Sequence, residues 1–240
     1  MEAIMKTIRL ISLFLLGWLP LAVLADIDPK ATYTEKGEEK TEWQNFTAEA
    51  PLHVRFTANP SAMEPGESIE WKIQNKNSGT SVTRYEEDTE YEFTESGLHT
   101  ITVTEWLDNE ALYTSSIDIT IAESHLEMPN AFSPNNDGHN DYYGAKGIKI
   151  NKSNSSGAYK SIVDFHAWIF NRWGQKLHEW TDIEGYWDGT FNGSPVKDGV
   201  YYVVVKARGA DGIEYNIRRD VNLIRNYNET TNNSGGDSNE

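Results

Sequence analysis

Apolar and polar positions alternate in short runs along most of this chain. Leu52, Val54, Phe56 and Ala58 fall on one side of a strand, with His53, Arg55 and Thr57 on the other. Ile69, Trp71 and Ile73 alternate with Glu70 and Lys72, Ile101 and Val103 with threonines, and Ile117, Ile119 and Ile121 with Ser116, Asp118 and Thr120. Breaks fall at Pro60, Pro65-Gly66, Asn77–Gly79 and Gly97. A period of two in short runs between such breakers predicts half-buried strands of a β-sandwich. Residues 26–50 are polar and weakly patterned, and predict a leader with one edge strand.

The pattern resumes more strongly after residue 160. Val163, Phe165, Ala167 and Ile169 form one apolar face, and Tyr201, Val203, Val205 and Ala207 a second. Ile213, Tyr215, Ile217, Val221 and Leu223 form a third, on which Arg219 also falls. A charged residue on an inward face predicts a local bulge or strand end. Asn171–Gly174 should join Ile162–Phe170 to Lys176–Trp180 as a hairpin, and Gly209–Gly212 should be the tip of another. Residues 151–158 read as a polar loop. The fold class is therefore all-β: two consecutive immunoglobulin-like antiparallel β-sandwiches, at 26–124 and 125–225.

The N-terminal stretch has a different pattern. Lys6 and Arg9 precede an apolar run from Leu10 to Leu24, and Val23-Leu24-Ala25 is a small-residue cleavage site. Residues 1–25 thus read as a secretory signal peptide, with a mature chain from Asp26 and no transmembrane segment after cleavage. Residues 226–240 are polar and low in complexity, and read as a disordered tail. The chain has no cysteine, so an exported product is held by its cores alone. Charge is uneven. Residues 26–124 carry 7 Lys and Arg against 21 Asp and Glu, a net of −14, whereas residues 125–225 carry 12 of each. That acidity argues against nucleic acid as a partner.

One stretch stands apart from the strands: Pro129 to Asp141, PNAFSPNNDGHND. Phe132 ends an apolar run, Pro134 fixes φ, and Asn135, Asn136, Asp137 and Gly138 supply turn chemistry. The same grammar returns as IFNRWG (Ile169–Gly174), WDG (Trp187–Gly189), NG (Asn192–Gly193), DGVYY (Asp198–Tyr202) and NLIR (Asn222–Arg225). In this order the set resembles the gliding motility-associated C-terminal domain of Bacteroidota proteins, the type B sorting signal of the type IX secretion system. The resemblance spans about residues 126–225. It implies recognition by the type IX translocon, delivery to the cell surface, outer membrane or medium, and an outer-membrane partner of the PorP/SprF type. The residues it marks are Pro129, Asn130, Phe132, Pro134, Asn135, Asp137, Gly138, Asn140, Asp141, Asn171, Arg172, Trp173, Gly174, Trp187, Asp188, Gly189, Gly199, Tyr201 and Arg225. Thr89–Val103, TEYEFTESGLHTITV, resembles the end of a PKD-type immunoglobulin-like module. That second resemblance implies fold alone.

Candidate chemistry is sparse. Ser133-x-Asn135-x-Asp137-Gly138-x-x-Asp141 has the spacing of a looped calcium site near Asn135, Asp137 and Asp141, but it begins with Ser and lacks the closing bidentate Glu. Asx-turns on the loop's own backbone are the competing account, and no cofactor is expected. Trp168, Trp173, Trp180, Trp187, Tyr201 and Tyr202 could form a sugar-stacking platform or pack a core. The six histidines make no HExxH motif, and no Ser–His–Asp or phosphate-loop pattern is present. The expectation is a non-catalytic exported surface protein. The alternatives are a resident accessory part of the type IX or gliding apparatus, and a carbohydrate-binding module.

Overall fold

The computed structural model describes residues 27, 29–35, 37–58, 63, 65–150 and 158–225. The signal segment 1–25, the tail 226–240 and residues 151–157 of the polar loop lie outside them. The described residues are all-β, with no helix among them. The strands are β1 (Lys30–Glu35), β2 (Glu38–Glu42), β3 (Phe46–Ala48), β4 (Leu52–Thr57), β5 (Glu67–Asn75), β6 (Ser81–Arg84), β7 (Asp88–Phe93), β8 (Gly97–Leu107), β9 (Glu110–Ile121), β10 (Ala131–Phe132), β11 (Ile162–Phe170), β12 (Lys176–Trp180), β13 (Thr190–Phe191), β14 (Ser194–Pro195), β15 (Gly199–Gly209) and β16 (Glu214–Leu223).

The first module is a sandwich of a sheet ordered β2-β1-β4-β7 and another ordered β3-β9-β8-β5-β6. Its core joins Val54 and Phe56 to Trp71, Phe93, Ile101, Val103, Ile117 and Ile119. Phe56 lies 5.8 Å from Trp71 and 6.3 Å from Phe93, centroid to centroid. The Trp71 indole N–H is satisfied by the carbonyls of Glu86 and Glu87. Residues 26–50 correct the sequence reading. They hold three strands, and β1 is interior, paired with both β2 and β4. Its inward side is Ala31 and Tyr33, two residues that set up little hydrophobic contrast with the neighbouring Thr32 and Thr34.

The second module is one sheet ordered β10-β16-β15-β11-β12, capped by loop segments and the small β13-β14 ribbon. The anticipated hairpins are present, as β11-β12 and β15-β16. All pairings are antiparallel except two, β3 with β9 and β10 with β16. Arg219 produces no bulge. It pairs in register with Val203 and donates to the Met128 carbonyl at 2.8 Å, so the charge is satisfied at the core edge without breaking the strand. Ile213 belongs to the turn and is exposed rather than inward. Irregularities lie elsewhere, in β11: between Ile169 and Phe170 against β12, and between Ile162 and Asp164 against β15. There Ile162 faces the second core while Val163 packs against the first.

Candidate functional site

Strand β15 orients the second module. Gly199 at its start pairs with Leu223 at the end of β16, and Phe170 at the end of β11 pairs with Tyr202. The β11-β12 corner, the entry to β15, the exit from β16 and the segment after β10 therefore share one end. That end is distal to the 209–212 tip by about 35 Å, the reach of an eleven-residue strand. Every motif residue marked in the sequence lies at the distal end or in the core beneath it.

The 133–141 turn closes on one carboxylate. Buried Asp141 accepts from the backbone N–H of Asn135 (3.1 Å) and Asn136 (2.6 Å) on Oδ1, and from Gly138 (2.8 Å) on Oδ2. Asn135 and Asp137 form Asx-type bonds with Asp137 N–H and His139 N–H. The His139 N–H, followed by the Asn135 side chain, holds the Asp137 carboxyl below its ordinary value. Ser133 N–H bonds the Asn140 carbonyl at 2.8 Å. Gly138 takes φ +86°, and Asn136 and Asn140 also lie in the left-handed region. Asp141 is thus a hub for the loop's own amides, and no cluster of three or more metal-ligating side chains occurs among the described residues.

Beneath the turn the aromatic residues are core. Phe132 sits 5.6 Å from Tyr143 and 5.3 Å from Trp187, and Trp187 sits 5.2 Å from Tyr201. Trp187 donates to the Thr190 carbonyl at 2.8 Å, Tyr143 to the Pro129 carbonyl at 3.0 Å, and Tyr201 to the Lys197 carbonyl at 2.7 Å. Burial raises the Tyr143 hydroxyl well above its ordinary range. The Asn130 carbonyl accepts from Asn222 N–H at 2.9 Å, extending the β10 ladder. Trp187, Trp180 and Tyr201 are therefore taken up by packing, whereas Trp173 and Tyr202 are exposed.

Arg225 ties the distal segments together. Its guanidinium donates to the Val196 carbonyl (2.6 Å), Asp198 Oδ1 (2.7 Å) and the Gly189 carbonyl (3.0 Å), while its backbone N–H donates to Asp198 Oδ2 (2.9 Å). The Arg225 backbone N–H, then its guanidinium, holds the Asp198 carboxyl below its ordinary value against the effect of desolvation. Gly189 is required here. Its φ is +78°, and a Cβ would sit 3.0 Å from Pro134 and 3.3 Å from Arg225. Asp188 caps the same corner, accepting from Thr190 N–H at 2.9 Å. Asp198, Val196 and Tyr143 were missed among the site residues. Asp198 stood in the quoted DGVYY run, and only its pairing with Arg225 shows its part.

The corner at 171–174 is the exposed feature. Asn171 Oδ1 accepts from Trp173 N–H (2.9 Å) and Gln175 N–H (3.0 Å), and Gly174 takes φ +78°. That geometry throws Trp173 outward at 79 % exposure, with the Arg172 guanidinium 4.7 Å over its ring. Val200 (48 %) and Tyr202 (46 %) lie beside it in a shallow groove of about 600 Å³ that also includes Lys197 and Phe191.

Residues 126–217 match the family model described as CHU_C Type IX secretion signal domain. The matched stretch begins with the anticipated domain and ends within β16, ahead of Leu223–Arg225. No curated protein matches the chain. Among solved structures, the chain is similar to a tetra-tandem repeat in the extending region of a large adhesion protein, at 11 % identity and TM-score 0.28, over 83 % of this chain and 68 % of that one. It is similar to dimeric latent PorU from Porphyromonas gingivalis at 12 % identity and TM-score 0.24, over 86 % and 21 %. A third is the Bacteroides ovatus mixed-linkage glucan utilization locus protein SGBP-B in complex with a mixed-linkage heptasaccharide, at 12 % identity and TM-score 0.25, over 75 % and 43 %.

Proposed function

We propose that this is a non-catalytic exported protein whose second module is its type IX sorting domain, and that the distal end of that module is the surface the secretion machinery reads. One observation carries the reading: turns from separate parts of the chain converge on a single end, and that end presents Trp173. Buried aromatics and the Arg225 clamp hold the turns in fixed relation. An exposed tryptophan on a rigid corner is the kind of anchor a protein partner uses. Arg172 and Lys197 place positive charge around the groove, which suits an apolar partner segment bearing carboxylates. An outer-membrane protein of the PorP/SprF type is the partner the family resemblance implies. On this reading residues 1–25 are removed on export, so that Asp26 begins the mature chain, and the first module is a PKD-like sandwich.

A resident accessory role is the second reading. It is favoured by the close joining of the two modules through Ala210, Ser161 and Ser124. A first module so joined is held as part of the same body rather than as separate cargo.

The test uses the full chain with an epitope tag, expressed in a type IX-competent host and in the same host lacking the translocon. The wild type should be outside the cell only in the competent host. Trp173→Ser together with Arg172→Ser should stay folded and accumulate in the periplasm. Export of that double variant at wild-type levels would remove the corner from the recognition surface. Equal export from both hosts would end the sorting reading altogether.

A further inference from the structure

The end of β15 opposite the motif turns is not a free hairpin. Ala210, at its tip, is only 7 % exposed and belongs to the core cluster of the first module. Its carbonyl accepts from Ser96 N–H of the β7-β8 turn at 2.9 Å, and its own N–H donates to the Ser161 carbonyl at 2.9 Å. Ser161, 1 % exposed, accepts in turn from Ala50 N–H at 3.2 Å through Oγ. The β11 irregularity between Ile162 and Asp164 then turns Val163 toward the first core.

The connecting segment is fastened to the same tip. Ser124 N–H donates to Asp211 Oδ2 (2.8 Å), Ser124 Oγ donates to Asp211 Oδ1 (2.7 Å), and that hydroxyl pairs with the Tyr215 hydroxyl at 2.8 Å. Gly209 makes the approach possible, because a Cβ there would overlap the Ser124 side chain. Desolvation pushes the Asp211 carboxyl up, yet the Ser124 hydroxyl and surrounding backbone N–H groups hold it below its ordinary value.

We infer that the 209–215 hairpin tip is a binding surface whose partner is the first module. Ala210 completes the core of that sandwich, and Ser124–Asp211–Tyr215 locks the connection. The two modules behave as one body, with the motif end carried at a set distance and direction from the first sandwich. The first module is then a structural partner of the second rather than an exchangeable passenger. This inference stands apart from the secretion reading and needs no export assay.

The absence of cysteine from the chain provides the test. Ala210→Cys and, separately, Ile213→Cys are placed in the full chain, and alkylation of the single thiol is followed under native conditions. Ala210 is buried in the docked tip, whereas Ile213, three residues on, is 51 % exposed. Docking predicts that the thiol of Ala210→Cys reacts at least about 100-fold more slowly than that of Ile213→Cys, since labelling at the buried position requires the tip to open. Adding Asp211→Ala to Ala210→Cys should weaken the lock and speed labelling by about tenfold. Equal rates for the two single variants, in proteins whose melting curves match the wild type, would overturn the inference. So would protection of the Ala210→Cys thiol that Asp211→Ala leaves untouched, because the Ser124–Asp211 lock would then contribute nothing. Should Ala210→Cys fail to fold, Gly209→Val in an otherwise native chain gives the second reading. A melting temperature unchanged by that overlap with Ser124 would refute the docked junction, and a fall of several degrees would support it.

Discussion

Arg225→Ala is the most direct probe of how the distal end is held. The substitution removes three side-chain hydrogen bonds, to the Val196 and Gly189 carbonyls and to Asp198, and leaves the backbone bond to Asp198 in place. A hydrogen bond to a charged group is worth roughly 1.5–3 kcal/mol net when buried. Here the Arg225 side chain is a quarter exposed and Asp198 more so, and water can replace part of what is lost. Counting about 1 kcal/mol per bond gives about 3 kcal/mol in all. For a folded region of this size that corresponds to a melting temperature lower by about 6–12 °C.

Arg225→Lys separates fork from charge. One ammonium cannot reproduce the guanidinium's geometry toward two carbonyls and a carboxylate, so the variant should recover less than half of the loss. Asp198→Asn completes a double-mutant cycle that isolates the ion pair. The sign of the pH effect follows from the depressed Asp198 carboxyl. Its contribution is fully present above the ordinary Asp value of 3.8 and fades as pH falls through the lower folded value. The assay is thermal unfolding of the full chain, followed by near-ultraviolet circular dichroism of the tryptophans beneath the clamp, at pH 7 and at pH 3. An Arg225→Ala protein that melts within a degree of wild type, or full stability with lysine, would refute a clamping role for the guanidinium.

Four further substitutions test other parts of the structure. Glu105 is 1 % exposed on the core side of β8, its Oε2 has no hydrogen-bond partner, and desolvation followed by the nearby Glu67 raises its carboxyl above the ordinary range. Glu105→Gln should therefore stabilise the chain by about 1 kcal/mol at pH 7, and urea titrations should show that advantage shrinking as pH falls through the raised folded value of the wild-type carboxyl and gone below the ordinary 4.5. Asp141→Ala strips three backbone amides of their acceptor and should cost about 2–3 kcal/mol by thermal unfolding, with faster hydrogen exchange at residues 135–138. A Cβ at Gly138 or Gly174 meets no neighbour within 4 Å, so Gly138→Val and Gly174→Val should each cost mainly the backbone strain of a positive φ, about 1–2 kcal/mol in chemical denaturation.

Strands were legible in the sequence where alternation was carried by large apolar residues, as in β4, β5, β9, β11 and β15. They were not legible in residues 26–50, where Ala31 and Tyr33 supply the inward side of β1 with little contrast to their neighbours. The turn chemistry at Gly138 and Gly174 was readable because positive φ selects few residue types. Arg219 misled because periodicity marks a face and says nothing of a carbonyl waiting at its edge, here that of Met128. Glu105 shows the converse: its position in the alternating run HTITVTEWL puts it on the inward side of β8, although its residue type speaks for solvent. The gathering of the motif residues at one end, and the docking of Ala210 at the other, depend on which strands neighbour which. That pairing is long-range, and a local pattern does not encode it.

The parallel contact of β10 with β16 has a consequence for biosynthesis. Asn130 and Asn222, which extend that ladder, are 92 positions apart, and β16 lies between β10 and β15. A chain still being synthesised cannot seat β10 until residues 214–223 have followed. The 133–141 turn that hangs from β10, and the clamp at Arg225, are therefore finished last. A product truncated before β16 has no assembled distal end, so the order of strands doubles as a completeness check on the folded chain.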